Sequence, residues 1–154
     1  MDKEYWDGEL VDRSLPDNLH SKTQALLVIF FGLLRKTLPV FVRPELRLRI
    51  GPTLIHIPDV CVFHPTEPQD CYPDTPPFIA IEILSPDDKL NPDDKLNNVR
   101  EKLEIYRQWS VAHVWLVDPY SKRMYNCDAG LMEVPVLRIP ELSVELTRAD
   151  VFEE

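Results

Sequence analysis

The run Phe78-Ile79-Ala80-Ile81-Glu82-Ile83-Leu84 is apolar at every position but one. A strand without polar alternation is covered on both faces, so it belongs at the centre of a sheet with layers above and below. That requirement points to a layered α/β arrangement. Glu82 conflicts with its surroundings, because desolvating an ionised carboxylate costs several kcal/mol or more. A second acid, Asp59, lies in Leu54-Ile55-His56-Ile57-Pro58-Asp59-Val60-Cys61-Val62-Phe63. Lys102 follows on the amphipathic stretch Leu96 to Trp109. A divalent cation held between the two carboxylates would offset their desolvation. The chain is therefore a candidate metal-dependent hydrolase.

Elsewhere, residues 1–16 read as an entry hairpin turning at Asp7-Gly8. Leu19, Leu26, Phe30, Leu33 and Leu34 recur near helical spacing, predicting a helix over about 19–37 capped by Asn18 or Ser21. Val40 to Ile50 alternates and predicts one half-buried strand, with Pro44 marking an edge or a bulge. Residues 64–77 form a Pro-rich loop. On the 96–109 helix, Leu96, Val99, Leu103 and Tyr106 form the buried stripe. Lys102 lies ~80° from its centre, a rim position. Val111 to Val117 is a further strand, ending in Asp118-Pro119-Tyr120-Ser121. Strands near 122–127 and 133–138 complete the sheet, and Thr147 caps a helix near 147–153. The 78–84 strand, the helix and the 111–117 strand make a βαβ unit with a parallel pair and a right-handed crossover. The fold class is mixed α/β with a central sheet.

The 154 residues suit a single domain, 1–154. The longest apolar run, Ala25 to Leu34, is shorter than a membrane span and is broken by Gly32. The N-terminus lacks the basic start and apolar middle of a signal peptide, so a cytoplasmic location is expected. Cys61, Cys71 and Cys127 are an odd count without a paired spacing. Cys61, His64 and Cys71 could seat zinc only with a fourth ligand, and a buried Cys61 is the simpler reading. A net charge of −9 argues against a nonspecific nucleic-acid coat but leaves room for a nuclease. Arg43, Arg47 and Arg49 form a local basic patch or a solvated strand face. Residues 86–91 and 92–97 both read Pro-Asp-Asp-Lys-Leu-Asn, a tandem copy that lengthens the loop after Glu82.

Each candidate has a structural alternative. Asp59 after Pro58 could be a strand-end acid, Glu82 could pair with an arginine, and Lys102 could be a surface lysine. Trp6, Trp109 and Trp115 read as core residues rather than stacking platforms for bases.

Taken in order, several segments carry a resemblance. They are Asp7-Gly8-Glu9-Leu10, His20 opening a helix, Ile57-Pro58-Asp59-Val60, and Ile81-Glu82-Ile83-Leu84-Ser85-Pro86. Glu101-Lys102-Leu103-Glu104-Ile105-Tyr106, Val114-Trp115-Leu116-Val117-Asp118-Pro119 and Ile139-Pro140-Glu141-Leu142 continue the series. Together they resemble the Uma-two family of restriction-endonuclease-like proteins, within the PD-(D/E)XK nuclease superfamily. The resemblance implies a restriction-endonuclease-like core, a mixed central sheet flanked by helices. It implies a Mg2+ (or Mn2+) site at Asp59 and Glu82, with the backbone carbonyl of Ile83 as a further ligand and Glu9 as an auxiliary acid. The superfamily's usual lysine position is Leu84 here, so the lysine role passes to Lys102, with Lys95 as its substitute. DNA is then the substrate, a homodimer is possible, and no membrane is involved. The alternative is a catalytically silent DNA-binding or protein-interaction module that keeps the fold.

Overall fold

In the computed structural model, residues 3–13, 15–86 and 92–153 are described, with 92–97 described through their backbone alone. Strands β1 (Lys3–Trp6) and β2 (Glu9–Asp12) form a hairpin, and both turn residues, Asp7 and Gly8, have positive φ. That backbone is the two-residue turn that Asp-Gly favours. Helix α1 spans Asn18–Leu34. It is followed by β3 (Phe41–Pro44), β4 (Leu48–Gly51), β5 (Leu54–His56), β6 (Val60–Phe63) and β7 (Ile79–Ile83). Helix α2 (Pro92–Gln108) leads to β8 (His113–Asp118), β9 (Arg123–Asn126), β10 (Met132–Val134), β11 (Val136–Ile139) and β12 (Val144–Thr147), and α3 (Arg148–Phe152) ends the chain.

The main sheet has the order β10-β9-β8-β7-β6-β3. Its β7–β8 pair is parallel and the other neighbours are antiparallel, so the sheet is mixed. A second sheet runs β2-β1-β5-β4, and β11 pairs with β12 alone. Along β7 the side chains divide by alternation. Ile79, Ile81 and Ile83 join the core cluster that includes Leu27 and Phe31 of α1. Ala80 and Leu84 join the opposite cluster, built with Val99, Leu103 and Tyr106 of α2. Glu82, in phase with Ala80 and Leu84, faces α2.

The structure departs from the sequence expectations at several points. Val40 to Ile50 is two strands in different sheets, separated where Glu45 adopts a left-handed backbone (φ 50°). The Asp59 segment is likewise two strands, because Pro58 supplies no N–H to continue a ladder. Asp17, rather than Asn18 or Ser21, caps α1 by accepting from the His20 N–H at 3.0 Å. The buried face of α1 is His20, Thr23, Leu27 and Phe31, whereas Leu19 and Leu33 are exposed. The helix is apolar nearly all round, so spacing alone did not select the buried face. The second copy of the tandem hexapeptide is not loop but the first turns of α2, with Pro92 opening the helix, a position where its missing N–H costs nothing. The first copy falls largely outside the described residues. Thr147 caps α3 in a capping box with Asp150.

Phe31 is fully buried and stacks on Trp115 with ring centroids 6.4 Å apart. Phe31→Ala should therefore cost about 3–5 kcal/mol of unfolding free energy. Leu33→Ala, at a residue 58% exposed, should change it by less than about 0.5 kcal/mol. Urea unfolding of the two variants checks this ordering.

Candidate active site

Asp59 stands at the entry to β6, beside β7, where Val60 pairs with Ile81. Its backbone carbonyl accepts from Gln24 Nε2 of α1 at 2.9 Å and from the Glu45 N–H at 3.2 Å, which fixes the strand end. Its Oδ2 accepts the Ile83 N–H at 2.7 Å. Its Oδ1 faces Arg13 Nη2 at 3.0 Å and His20 Nε2 at 3.3 Å. Glu82 reaches α2, where Oε1 meets Lys102 Nζ at 3.1 Å and Oε2 accepts from the Tyr106 hydroxyl at 3.0 Å. Lys102 Nζ also lies 2.7 Å from Glu4 Oε2 and donates to the Ile57 carbonyl at 3.3 Å.

The sequence-predicted residues thus meet in part. Asp59, Glu82 and Lys102 converge on one cavity of about 50 Å³, lined also by Glu4, Arg13 and His20. Lys102 is not at a rim: it is buried, and its reach to Glu82 survives the tandem copy. Glu9 is exposed and absent from the cavity lining; the acid that the hairpin brings to the cavity is Glu4, buried on the inward face of β1. β1 and β2 pair across a tight turn, and a short strand offers little periodicity from which to choose between two acids five residues apart. The side chain of Lys95 lies outside the described residues. Ile83 contributes its N–H to Asp59. Arg13, His20 and Tyr106 had no assigned role at the site in the sequence; His20 and Tyr106 carried a signal through their places in the motif order, and Arg13 carried none.

Cys61 is buried, Cys71 is exposed, and His64 Nδ1 faces the Pro39 carbonyl at 2.8 Å; among the described residues they are not gathered into a group that could hold a metal ion. Arg43 pairs with Glu67 at 3.0 Å, so this member of the basic patch is an ion-paired strand residue. Trp115 is fully buried in the core.

Burial sets the electrostatics. It pushes the Glu4 carboxyl up, but the Lys102 ammonium, His56 and the Ile57 N–H overcome it and hold the group at about 2. Burial also opposes ionisation of Asp59, and there His20, Lys102 and Arg13 win, leaving its pKa lowered. For Glu82 burial prevails: despite Lys102, desolvation and the neighbouring Asp59 and Glu4 charges push it up to about 7. Burial works against the charge on Lys102, yet Glu82, Glu4 and Asp59 raise its pKa, so it is a fixed cation. His20 is raised too, with Asp59 outweighing burial.

The donor set suits a hard cation. A carboxylate has about four acceptor positions. Three of those on Asp59 and two of those on Glu82 are used by the contacts above. Each acid therefore keeps acceptor capacity toward the cavity, which has room for an ion and a few waters. Glu82, with its raised pKa, is the acid least compensated by protein cations. Among the described residues no group of three or more His, Cys, Asp or Glu side chains is arranged to chelate an ion. Two carboxylates with water and substrate completing the shell is, however, the usual Mg2+ arrangement.

The family model described as Uma2, putative restriction endonuclease, matches residues 2–148. The chain belongs to the Uma2 family. A crystal structure described as a putative nuclease belonging to DUF820, from Anabaena variabilis ATCC 29413, superposes with a TM-score of 0.78 at 22% identity. The match covers 98% of this chain and 89% of that one. The fold is therefore the restriction-endonuclease-like mixed α/β fold, as the resemblance implied. No curated protein matches the chain. Among the described residues no helix is long and apolar enough to cross a membrane. Lys102 reaches Glu82 from the helix after β7, not from β7 itself.

Glu4 provides a pH test. Its folded pKa of about 2 lies below the ordinary 4.5, so it contributes stability above pH 4.5 that is lost as pH falls toward 2. Glu4→Gln should cost about 3 kcal/mol at pH 7, and the gap from the parent should narrow as pH falls from 4.5 toward 2. Glu9→Gln, at an exposed residue, should change stability at pH 7 by less than about 0.5 kcal/mol. Urea unfolding at a series of pH values separates the two.

Proposed function

We propose that this Uma2 protein is a metal-dependent endonuclease that hydrolyses DNA phosphodiester bonds, using Mg2+ or Mn2+ at Asp59 and Glu82. The observation that carries the reading is the meeting of two buried carboxylates from adjacent strands with a buried ammonium at one cavity. A structural ion pair would need only Glu82 and Lys102; the added Asp59, raising the Glu82 pKa, makes an arrangement that is costly without a further cation. Asp59 and Glu82 would hold the ion, with the Ile83 carbonyl as a further ligand. Bound there, the ion would polarise a phosphoryl oxygen and make water a better nucleophile.

The chain's own groups supply the rest. Lys102 is held by Glu82, Glu4 and the Ile57 carbonyl and stays protonated, so it acts as a preorganised positive charge for the developing phosphorane and not as a base. Tyr106 orients Glu82 through its hydroxyl. Gln24 and the Ile83 N–H orient Asp59. One such domain cuts one strand, so duplex cleavage calls for two copies acting together. The contacts of Arg13 and His20 with Asp59 are what a silent, fold-retaining module would also have, and substitution decides between the readings.

Asp59→Ala with Glu82→Ala should abolish Mn2+-dependent cleavage of a DNA oligonucleotide. Lys102→Met should lower kcat about 100- to 1,000-fold. Thermal unfolding of the parent should shift upward in millimolar Mn2+, and that shift should vanish in the double variant. Cleavage and Mn2+ stabilisation that both survive the double substitution would defeat the catalytic reading.

A further inference from the structure

Lys122 stands where a lysine is disfavoured. It closes the turn between β8 and β9 with a left-handed backbone (φ 56°), a conformation that suits glycine or asparagine. The rest of the turn is pinned. Asp118 Oδ1 accepts the Tyr120 N–H at 2.9 Å and the Ser121 N–H at 3.2 Å, and its Oδ2 accepts from the Ser121 hydroxyl at 2.7 Å. The turn thus needs a left-handed residue, but it does not need an ammonium. The Tyr120 hydroxyl donates to Asp17 Oδ2 at 2.9 Å. Asp17 caps α1, and His20 of that helix lines the cavity, so the turn is fixed at the active-site end of the sheet. The Leu84 N–H, just beyond β7, donates to the Val117 carbonyl at 2.9 Å and keeps the ends of β7 and β8 together.

Two surface grooves meet at Lys122. One, of about 230 Å³, is lined also by Arg123 and Arg148, and the other, of about 200 Å³, by Lys22. Glu133 and Glu153 are the acids that line them. Four cations against two acids leave +2 here, in a chain whose total is −9. Arg123 lies 3.9 Å from Glu133 and Lys22 lies 3.2 Å from Glu153, all four side chains being exposed. Exposed pairs of this kind are worth little and yield readily to a phosphate. Lys122, Arg123 and Arg148 are exposed, so a phosphate can reach each of them whatever neighbour it also touches. The cavity itself is lined by Glu4, Asp12, Asp59 and Glu82, and affinity for a polyanion has to come from elsewhere on the surface.

We propose that the β8–β9 turn and its two grooves form a track for the DNA backbone, in which Lys122, Arg123 and Arg148 hold phosphates outside the cavity. The inference rests on the DNA-hydrolysing reading above and adds the surface that carries the duplex. Contacts of this kind set the position of the duplex and carry no sequence information.

Lys122→Gly separates a part in the fold from a part in binding. Glycine relieves the left-handed backbone, so the variant should keep or exceed the parent's melting temperature. It should nevertheless bind a fluorescent DNA duplex about three- to tenfold more weakly at about 0.1 M salt without divalent cations. Lys122→Gly with Arg123→Gln and Arg148→Gln should weaken binding about 30- to 100-fold and reduce the slope of log affinity against log salt by about three. Arg35→Gln with Lys36→Gln and Arg43→Gln removes the same charge around β3, at the opposite edge of the main sheet, and should leave affinity within about twofold of the parent.

Weaker binding in the groove variants, with the β3-edge variant unchanged, supports the proposal. Equal weakening in both triple variants would mean binding by overall charge and overturns it. Unchanged affinity in the groove variants overturns it too, as does a lowered melting temperature for Lys122→Gly. If the parent cleaves DNA with Mn2+ while the groove variants bind as the parent does, this inference alone fails. If the parent neither binds nor cleaves DNA, the DNA-hydrolysing reading fails with it.

Discussion

The bridge from Glu4 through Lys102 to Glu82 is the interaction on which the arrangement depends. β7 is central because both its faces are covered, and that position condemns Glu82 to burial. A lone carboxylate there would protonate or destabilise the strand. Lys102 offsets that cost, and a buried lysine needs more than one acid around it, which β1 supplies through Glu4. The second sheet thus does more than pack: it brings the counter-charge that lets an ammonium remain inside. β1, β7 and α2 are tied at one point, far apart in sequence, so the hairpin is part of the site and not an appendage.

The charges around the cavity are also unevenly matched. Glu4 and Asp59 are ionised and well held, and Lys102 and Arg13 are the cations. His20, on the first turn of α1, adds a third positive group as it protonates. Glu82 remains the exception, with a pKa near 7 despite its two donors. Such a group gains most from an additional cation, and the gain is available only if the site accepts one. Residues that would be faults in a purely structural core are sustained by one another, and Glu82 is the acid left least compensated.

Much of this was legible in the sequence. The unbroken apolar run of β7 fixed its central place, and Glu82 within it was conspicuous for the same reason. The crossover from β7 through α2 to β8 followed from alternating strand and helix patterns, and the parallel register agrees. What stayed hidden depended on contacts across the chain. Lys102 reads as a rim residue because the neighbours that bury it come from β1 and the Pro58 bend, not from its own helix. Glu4 and Glu9 are equivalent in composition, and only the twist and pairing of the hairpin select Glu4. The buried face of α1 was ambiguous because Ile29, Phe30, Phe31 and Leu33 make it apolar all round. Arg13 had no motif, and its significance appears only when Asp59 is beside it.

A crystal soaked in Mn2+ and measured for anomalous scattering at the manganese edge tests the central claim most directly. The account predicts a single strong peak in the cavity, within about 2.2 Å of a carboxylate oxygen of both Asp59 and Glu82. An ordered cavity with no manganese peak at millimolar Mn2+ would contradict it.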